Sequence, residues 1–253
     1  MNEGVCKVVS DTFYGGRLRS ADVARSRATP FTPGGRLDEV LDPERCVVWL
    51  RVDHHQPGSR SVEEANAAAD VVDDLVRRHG VAARDIAVMA PFRAQVRLLR
   101  SALQHKGLPG LEELTIDTVE RIQGQEREVV VISLAAGDPA AHRARGTFHL
   151  SESRLNVAVS RAKTKAVLVA SGHVFEALPR DIEGLRAVSK SRELRDRMQM
   201  VDLTQLYVGA ASQVASAEAT GAKVVASGAH GSGQGAAEAG QAGDAATAAE
   251  SAG

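Results

Sequence analysis

Hydrophobic positions in this chain form short apolar runs, separated by stretches with helical spacing. Residues 46–52, 86–90, 129–134 and 166–170 are apolar runs of strand length, interrupted only by Arg51 and Ser133, the pattern of strands buried on both faces. Residues 113–119 read as a further extended segment. Between the first two runs, Ala65, Ala68, Ala69, Val72, Leu75 and Val76 recur at helical spacing. Ser61, with Glu64 three positions later, reads as a capping box opening that helix, and Gly80 ends it. Residues 95–106 form a second helix with Val96, Leu99 and Leu103 on one side. Residues 1–14 predict a short helix running into Gly15-Gly16, residues 21–43 an irregular connection, residues 138–150 a polar loop and residues 178–207 charged helices.

Strands alternating with helices predict an α/β domain, a parallel sheet covered by helices on both faces. Ligands on such sheets bind beyond the carboxyl ends of the strands. The candidate motifs mostly follow strands, so they are expected to gather on that one edge. Residues 211–253 are rich in Ala, Gly and Ser and hold too few bulky apolar side chains to offset their ordering entropy, which predicts a disordered C-terminal tail. The expected organisation is an entry segment and irregular connection over 1–44, the α/β domain over 45–207 and the tail over 208–253.

Charge narrows the mode of binding. The formal net charge is −1; with Lys223 and the four tail acids set aside, residues 1–207 hold 30 basic and 28 acidic groups. A near-neutral body argues against binding by bulk charge and favours placed backbone amides with a few arginines. Aromatic residues make up 3% of the chain, so stacking platforms for bases are scarce. Cys6 and Cys46 are isolated, which suggests neither a disulfide framework nor a zinc site and fits a reducing, cytoplasmic setting. There is no apolar run of about eighteen residues to span a membrane.

The segment Glu152-Ser153-Arg154-Leu155-Asn156-Val157-Ala158-Val159-Ser160-Arg161-Ala162-Lys163 is the richest in chemistry. On a helix at about 100° per residue, Leu155, Ala158, Val159 and Ala162 share one arc, and Arg154 and Arg161 lie within about 20° of each other at its edge. Ser151 is a suitable N-cap. Two guanidiniums presented together suit an anion, and phosphate best; the plainer reading is a surface salt-bridge pair. Thr118-Val119-Glu120-Arg121-Ile122-Gln123-Gly124-Gln125-Glu126 lies between two strands. Gly124 permits close approach of a ligand to the backbone, and Gln123 and Glu126 flank it with hydrogen-bonding groups; the plainer reading is a polar turn. Met89-Ala90-Pro91-Phe92-Arg93-Ala94-Gln95 opens a helix after a strand, where Arg93 or Arg97 could reach an anion; the plainer reading is a surface helix with solvated arginines. Asp53-His54-His55-Gln56-Pro57 resembles the Asp-His-His motif of a manganese phosphoesterase family. That family's earlier Asp-rich motifs are absent, and adjacent strand residues point to opposite faces. A polar loop is the better reading, and no metal site is expected.

Taken together, these motifs resemble the second RecA-like domain of superfamily 1 helicases, in the group of the nonsense-mediated-decay and Okazaki-fragment-processing helicases. Phe13-Tyr14-x-Gly16-x-Leu18 resembles the segment entering that domain. Met89 to Gln95 resembles helicase motif IV, Thr118 to Glu126 motif V, and Arg154 to Arg161 motif VI. The resemblance covers residues 1–171 and implies a RecA-like sheet, with ATP bound in a cleft between two such domains. It implies that Arg161 is an arginine finger on the γ-phosphate, a role worth about 10³–10⁵ in rate. It places Gly124 and Glu126 at the ribose, Gln123 near the phosphates, and Arg154, Gln95 and Arg93 along the nucleotide cleft. Thr118, Asn156 and Ser160 are the implied nucleic-acid contacts. Val96 stands where some relatives carry a motif IV arginine. The sequence has no Gly-x-x-x-x-Gly-Lys-Ser/Thr loop and no Asp-Glu motif followed by the Gly-Asp-x-x-Gln motif that the first domain carries. ATP with magnesium is therefore expected only where a first RecA-like domain, supplied in trans or lost by gene fragmentation, completes the site. The expected partners are that domain and single-stranded DNA or RNA. The alternative is a non-enzymatic nucleic-acid- or protein-binding module, or a remnant of a split helicase.

Overall fold

Among the described residues six strands, all parallel, lie in the order β3-β2-β4-β5-β1-β6: β1 Val47–Arg51, β2 Ile86–Ala90, β3 Thr115–Thr118, β4 Arg127–Ser133, β5 Ala162–Ala170 and β6 Gln199–Asp202. This computed structural model describes residues 1–55, 58–122, 124–137, 150–179 and 181–207. The expected tail over 208–253 and nearly all of the 138–150 loop lie outside the described residues.

Side chains alternate across the sheet and feed two cores. Val48, Leu50, Val88, Val129, Val131 and Val167 pack on one face against α4 (Val62–Arg77) and α5 (Arg93–His105). Trp49, Met89, Val130, Ile132 and Leu168 pack on the other against α1 (Glu3–Phe13), α6 (Glu152–Ser160) and α7 (Ile182–Arg195). Helices on both faces explain why the central strands are apolar on both sides. The alanine stripe of α4 lets that helix lie close to the sheet, while Leu99 and Leu103 of α5 are fully buried, each stabilising by roughly 2 kcal/mol. The α/β, RecA-like architecture read from the sequence is the one observed.

Several local expectations need correction. The irregular connection contains two four-residue helical turns, α2 (Asp22–Arg25) and α3 (Asp38–Leu41). Charged helices were expected over 178–207, yet β6 adds an edge strand there; only Val201 of its four residues is buried, so no apolar run announces it. The capping box is half made. Ser61 Oγ accepts from the Glu64 N–H at 3.1 Å, but the Glu64 carboxylate turns inward and the Ser61 N–H goes to Gln95 Oε1 at 2.7 Å. Ser151 precedes α6 without a side-chain cap hydrogen bond, its hydroxyl accepting from Arg154 Nη1 instead.

Lys165 is a fully buried cation on β5. Its ammonium donates to the carbonyls of Val40 (3.1 Å), Asp42 (2.9 Å) and Arg45 (2.5 Å), pinning the end of α3 and the entry to β1. Three donors meet three carbonyls, one of which, that of Asp42, also accepts the Arg45 N–H at 3.0 Å, and this keeps the cation tolerable. Burial nevertheless pushes its pKa down from 10.5 to about 8, against the smaller opposing influence of Cys46 and Asp42. Lys165→Met is expected to cost about 2–4 kcal/mol in urea unfolding, because the carbonyls lose their donor. Because the folded pKa is depressed, the unfolded chain holds the proton more tightly between pH 8 and 10.5, so wild-type stability rises across that window relative to Lys165→Met. Parallel slopes for the two proteins would contradict this assignment.

Candidate functional site

The motif residues do not gather on one edge; parallel strands divide them between two. Glu126 immediately precedes β4 and Arg161 immediately precedes β5, so both lie at the amino ends of adjacent strands. The Arg127 N–H donates to the Arg161 carbonyl at 3.0 Å, which locks the two positions side by side. Thr118 ends β3, and Arg93 and Gln95 follow β2, so these three belong to the carboxyl edge. The sequence placed the motifs relative to strands correctly, but not the direction from which each approaches its strand.

At the amino edge, Gly124 adopts φ 88°, a left-handed conformation in which a side chain is strained, and its position is open to solvent. Glu126 is exposed beside it. Arg161 caps the carboxyl end of α6 with helical backbone angles, and its Nε donates to the Val157 carbonyl at 3.3 Å. No carboxylate pairs with the Arg161 guanidinium among the described residues. Ser160 Oγ donates to the same Val157 carbonyl at 3.2 Å, so Ser160 stands beside Arg161 and apart from Thr118. Gln123 lies outside the described residues.

Arg154 behaves differently. Seven residues along a helix is about 10 Å, which puts Arg154 near the other end of α6. There its Nε donates to Glu120 Oε1 at 2.5 Å and its Nη1 to Ser151 Oγ at 3.1 Å. Burial opposes the charge of Glu120, but the hydrogen bond from Arg154 and further help from its own backbone N–H and Thr118 hold its carboxyl below the ordinary range. Thr118, Glu120 and Arg154 thus link motif V to the motif VI helix. On the same helix, Asn156 Nδ2 donates to the Tyr14 hydroxyl at 3.0 Å, tying in the entry segment. Glu120 and Tyr14 were quoted from sequence only as positions within longer motifs, with no role of their own; the only trace was an acid in one motif and arginines in the next.

Gln95 does not line a cleft. It is completely buried; Oε1 accepts from the Ser61 N–H, and Nε2 donates to the Ser61 carbonyl (2.9 Å) and Ser133 Oγ (3.0 Å). Arg93, one half-turn away, is exposed. The Asp-His-His segment follows β1 without belonging to it, and its three side chains diverge. His54 turns inward to Glu64, His55 packs against His173 with centroids 4.8 Å apart and the rings tilted by 34°, and Asp53 binds Arg51 and the Gly172 N–H. Gln56 and Pro57 lie outside the described residues. Among the described residues, no three His, Cys, Asp or Glu side chains are disposed to hold a metal ion. No helix among them is long and apolar enough to cross a membrane. A cleft of about 210 Å³ beside α1, lined by residues such as Cys6, Ser10 and Arg25, includes Gly16 and Leu18 of the entry segment but no position of motifs IV, V or VI.

Residues 1–173 match the protein family described as AAA domain. The chain is 26% identical over 191 residues to the DNA replication ATP-dependent helicase/nuclease JHS1 of Arabidopsis thaliana, covering 71% of this chain and 14% of that protein. It is 29% identical over 188 residues to the DNA polymerase alpha-associated DNA helicase A of Schizosaccharomyces pombe, covering 70% and 27%. It is 36% identical over 184 residues to the DNA-binding protein SMUBP-2 of Mus musculus, covering 68% and 17%. The chain therefore spans less than a third of the length of each of these relatives.

The Glu120–Arg154 pair is half-exposed and is expected to contribute modestly. A double-mutant cycle with Glu120→Gln and Arg154→Gln should give a coupling of about 0.5 kcal/mol in urea unfolding at low salt, shrinking at high salt. Since the Glu120 pKa is depressed, that coupling is present above the ordinary carboxylate range and disappears as pH falls through the folded value. Additive single mutants at neutral pH and low salt would show that the two side chains do not interact in solution.

Proposed function

This chain belongs to the AAA domain family, as a second RecA-like domain of the superfamily 1 helicase type, and from that membership we propose that it supplies one wall of an ATP cleft in a nucleic-acid-translocating helicase. The observation that carries the reading is Arg161. It is a guanidinium with no carboxylate partner among the described residues, held at a helix end beside Gly124 and Glu126. An unneutralised guanidinium fork fits a γ-phosphate, and an exposed carboxylate beside an open, left-handed glycine fits ribose hydroxyls. The residues present therefore suit a nucleotide whose phosphate loop and magnesium ligands another RecA-like domain provides.

In this reading the nucleotide supplies the phosphoryl group whose transfer to water drives translocation. Arg161 meets the negative charge that grows on that group. Its backbone tie to Arg127 and its Nε contact to Val157 orient it before any ligand arrives, so little reorganisation is needed when charge develops. Glu126 accepts hydrogen bonds from the sugar and sets the register of the nucleotide along the wall. Thr118, buried at the opposite edge of the sheet, is the position assigned to the nucleic-acid backbone. The segment between Thr118 and Glu126 crosses from one edge to the other, and α6 spans the same distance alongside it. Those two elements couple the nucleotide to the track. DNA-related names among the relatives favour single-stranded DNA as the track.

The chain alone is expected to show no nucleic-acid-stimulated ATP hydrolysis. Joined to a first RecA-like domain carrying a phosphate loop it should gain that activity, and Arg161→Ala should then lower turnover by about 10³-fold or more while leaving oligonucleotide affinity unchanged. Robust stimulated hydrolysis by the unaided chain, or full activity of the Arg161→Ala fusion, would overturn the proposal.

A further inference from the structure

One buried polar cluster is not accounted for by the nucleotide wall. Glu64, in the first turn of α4, is completely buried. Its Oε2 accepts from Ser133 Oγ at 2.7 Å and from the Ala135 N–H at 2.8 Å. Its Oε1 lies 2.8 Å from His54 Nε2, and facing a carboxylate that nitrogen carries the proton. Ser133 Oγ in turn accepts from Gln95 Nε2, and Gln95 clasps Ser61 through both backbone groups. His54, Gln95 and Ser133 are each buried as deeply as Glu64 or nearly so.

These residues come from three different places on the carboxyl edge. His54 and Ser61 belong to the connection after β1, Gln95 to the helix start after β2, and Ser133 and Ala135 to the end of β4. Ala135 has φ 54°, a left-handed conformation unfavourable for a residue with a Cβ, and its N–H is aimed at Glu64. Two positions on, a Cβ at Gly137 would run into the His54 ring. The turn leaving β4 is thus held by the carboxylate and packed against the histidine that shares it. A buried carboxylate that serves only part of its donors is costly, so the cluster forms as a unit or not at all.

We propose that Glu64 is a positioning residue that fastens the three carboxyl-edge loops into one rigid rim, and through Gln95 presets the exposed Arg93 for a single-stranded nucleic-acid backbone. Gln95 and Arg93 share the first turn of α5, so fixing one fixes the base of the other. The nucleic-acid part of this assignment rests on the function proposed above; the rigid rim does not.

Two variants of the full chain test it against a control. Glu64→Gln keeps the shape but turns one acceptor into an amide NH₂, which cannot serve Ser133, Ala135 and His54 together. Ser133→Ala removes one donor and the acceptor for Gln95. Leu103→Ala, on the same core face but outside the cluster, supplies a destabilised control. Amide hydrogen exchange of the free chains is read over residues 134–137 and 92–95, and oligo-dT and oligo-U binding is titrated at low salt. Both cluster variants should exchange about tenfold faster in those two segments than wild type. They should also bind oligo-dT about tenfold more weakly, whereas Leu103→Ala does neither beyond its general loss of stability. Unchanged exchange in the two segments, or equal acceleration in Leu103→Ala, overturns the positioning role. Local acceleration with full oligonucleotide affinity overturns the presetting of Arg93. Absence of binding by wild type removes the nucleic-acid reading while the exchange result still decides the rim.

Discussion

A sheet whose six strands all run the same way has two unlike edges, and every connection must carry the chain from the carboxyl end of one strand back to the amino end of the next. That constraint distributes the chemistry of this protein. A residue that follows a strand faces one edge, a residue that precedes a strand faces the other, and a motif long enough to form a whole connection touches both. Motif V is such a connection, with Thr118 at one end and Glu126 at the other. Helix α6 returns the chain to β5 and carries Arg154 near its start and Arg161 at its finish.

The two arginines of that helix show how tertiary context assigns different work to the same side chain. Arg154 meets Glu120 and Ser151 and is consumed in joining two motifs. Arg161 has its Nε on a backbone carbonyl, and no carboxylate of the described chain neutralises its fork. A paired guanidinium braces, because its charge is already answered; an unanswered one is available to a phosphate. One short helix carries both arginines, so a shift at one end reaches the other.

Two buried ionic centres hold the rest of the frame. Lys165 gathers three carbonyls at the entrance to β1, and Glu64 gathers donors at the exits of β1 and β4. Each sits where irregular backbone must be buried, and each supplies the partners that the ladder cannot. Apolar packing fills the space between sheet and helices, but it does not specify the path of a loop. These two charges do, and they do so at opposite edges of the sheet.

The sequence by itself determined the architecture and most of its elements. Four apolar runs became β1, β2, β4 and the inner part of β5, and the alanine stripe from Ala65 to Leu75 became the buried face of α4, because periodicity reports burial directly. It also determined the family, since motifs IV, V and VI stand in order along one chain. It was silent on β6, whose exposed edge position demands no apolar pattern, and it misread Glu64 as a cap, because a Ser-x-x-Glu spacing looks the same whether the carboxylate folds back on its own helix or reaches across to another strand. Only the tertiary structure decided which edge each motif residue occupies, that Gln95 is buried in the frame, and which arginine is already paired. Those properties depend on strand order and on contacts between residues tens of positions apart, such as Glu64 with Ala135 and Glu120 with Arg154. Local spacing carries no information about partners that only the assembled sheet brings together.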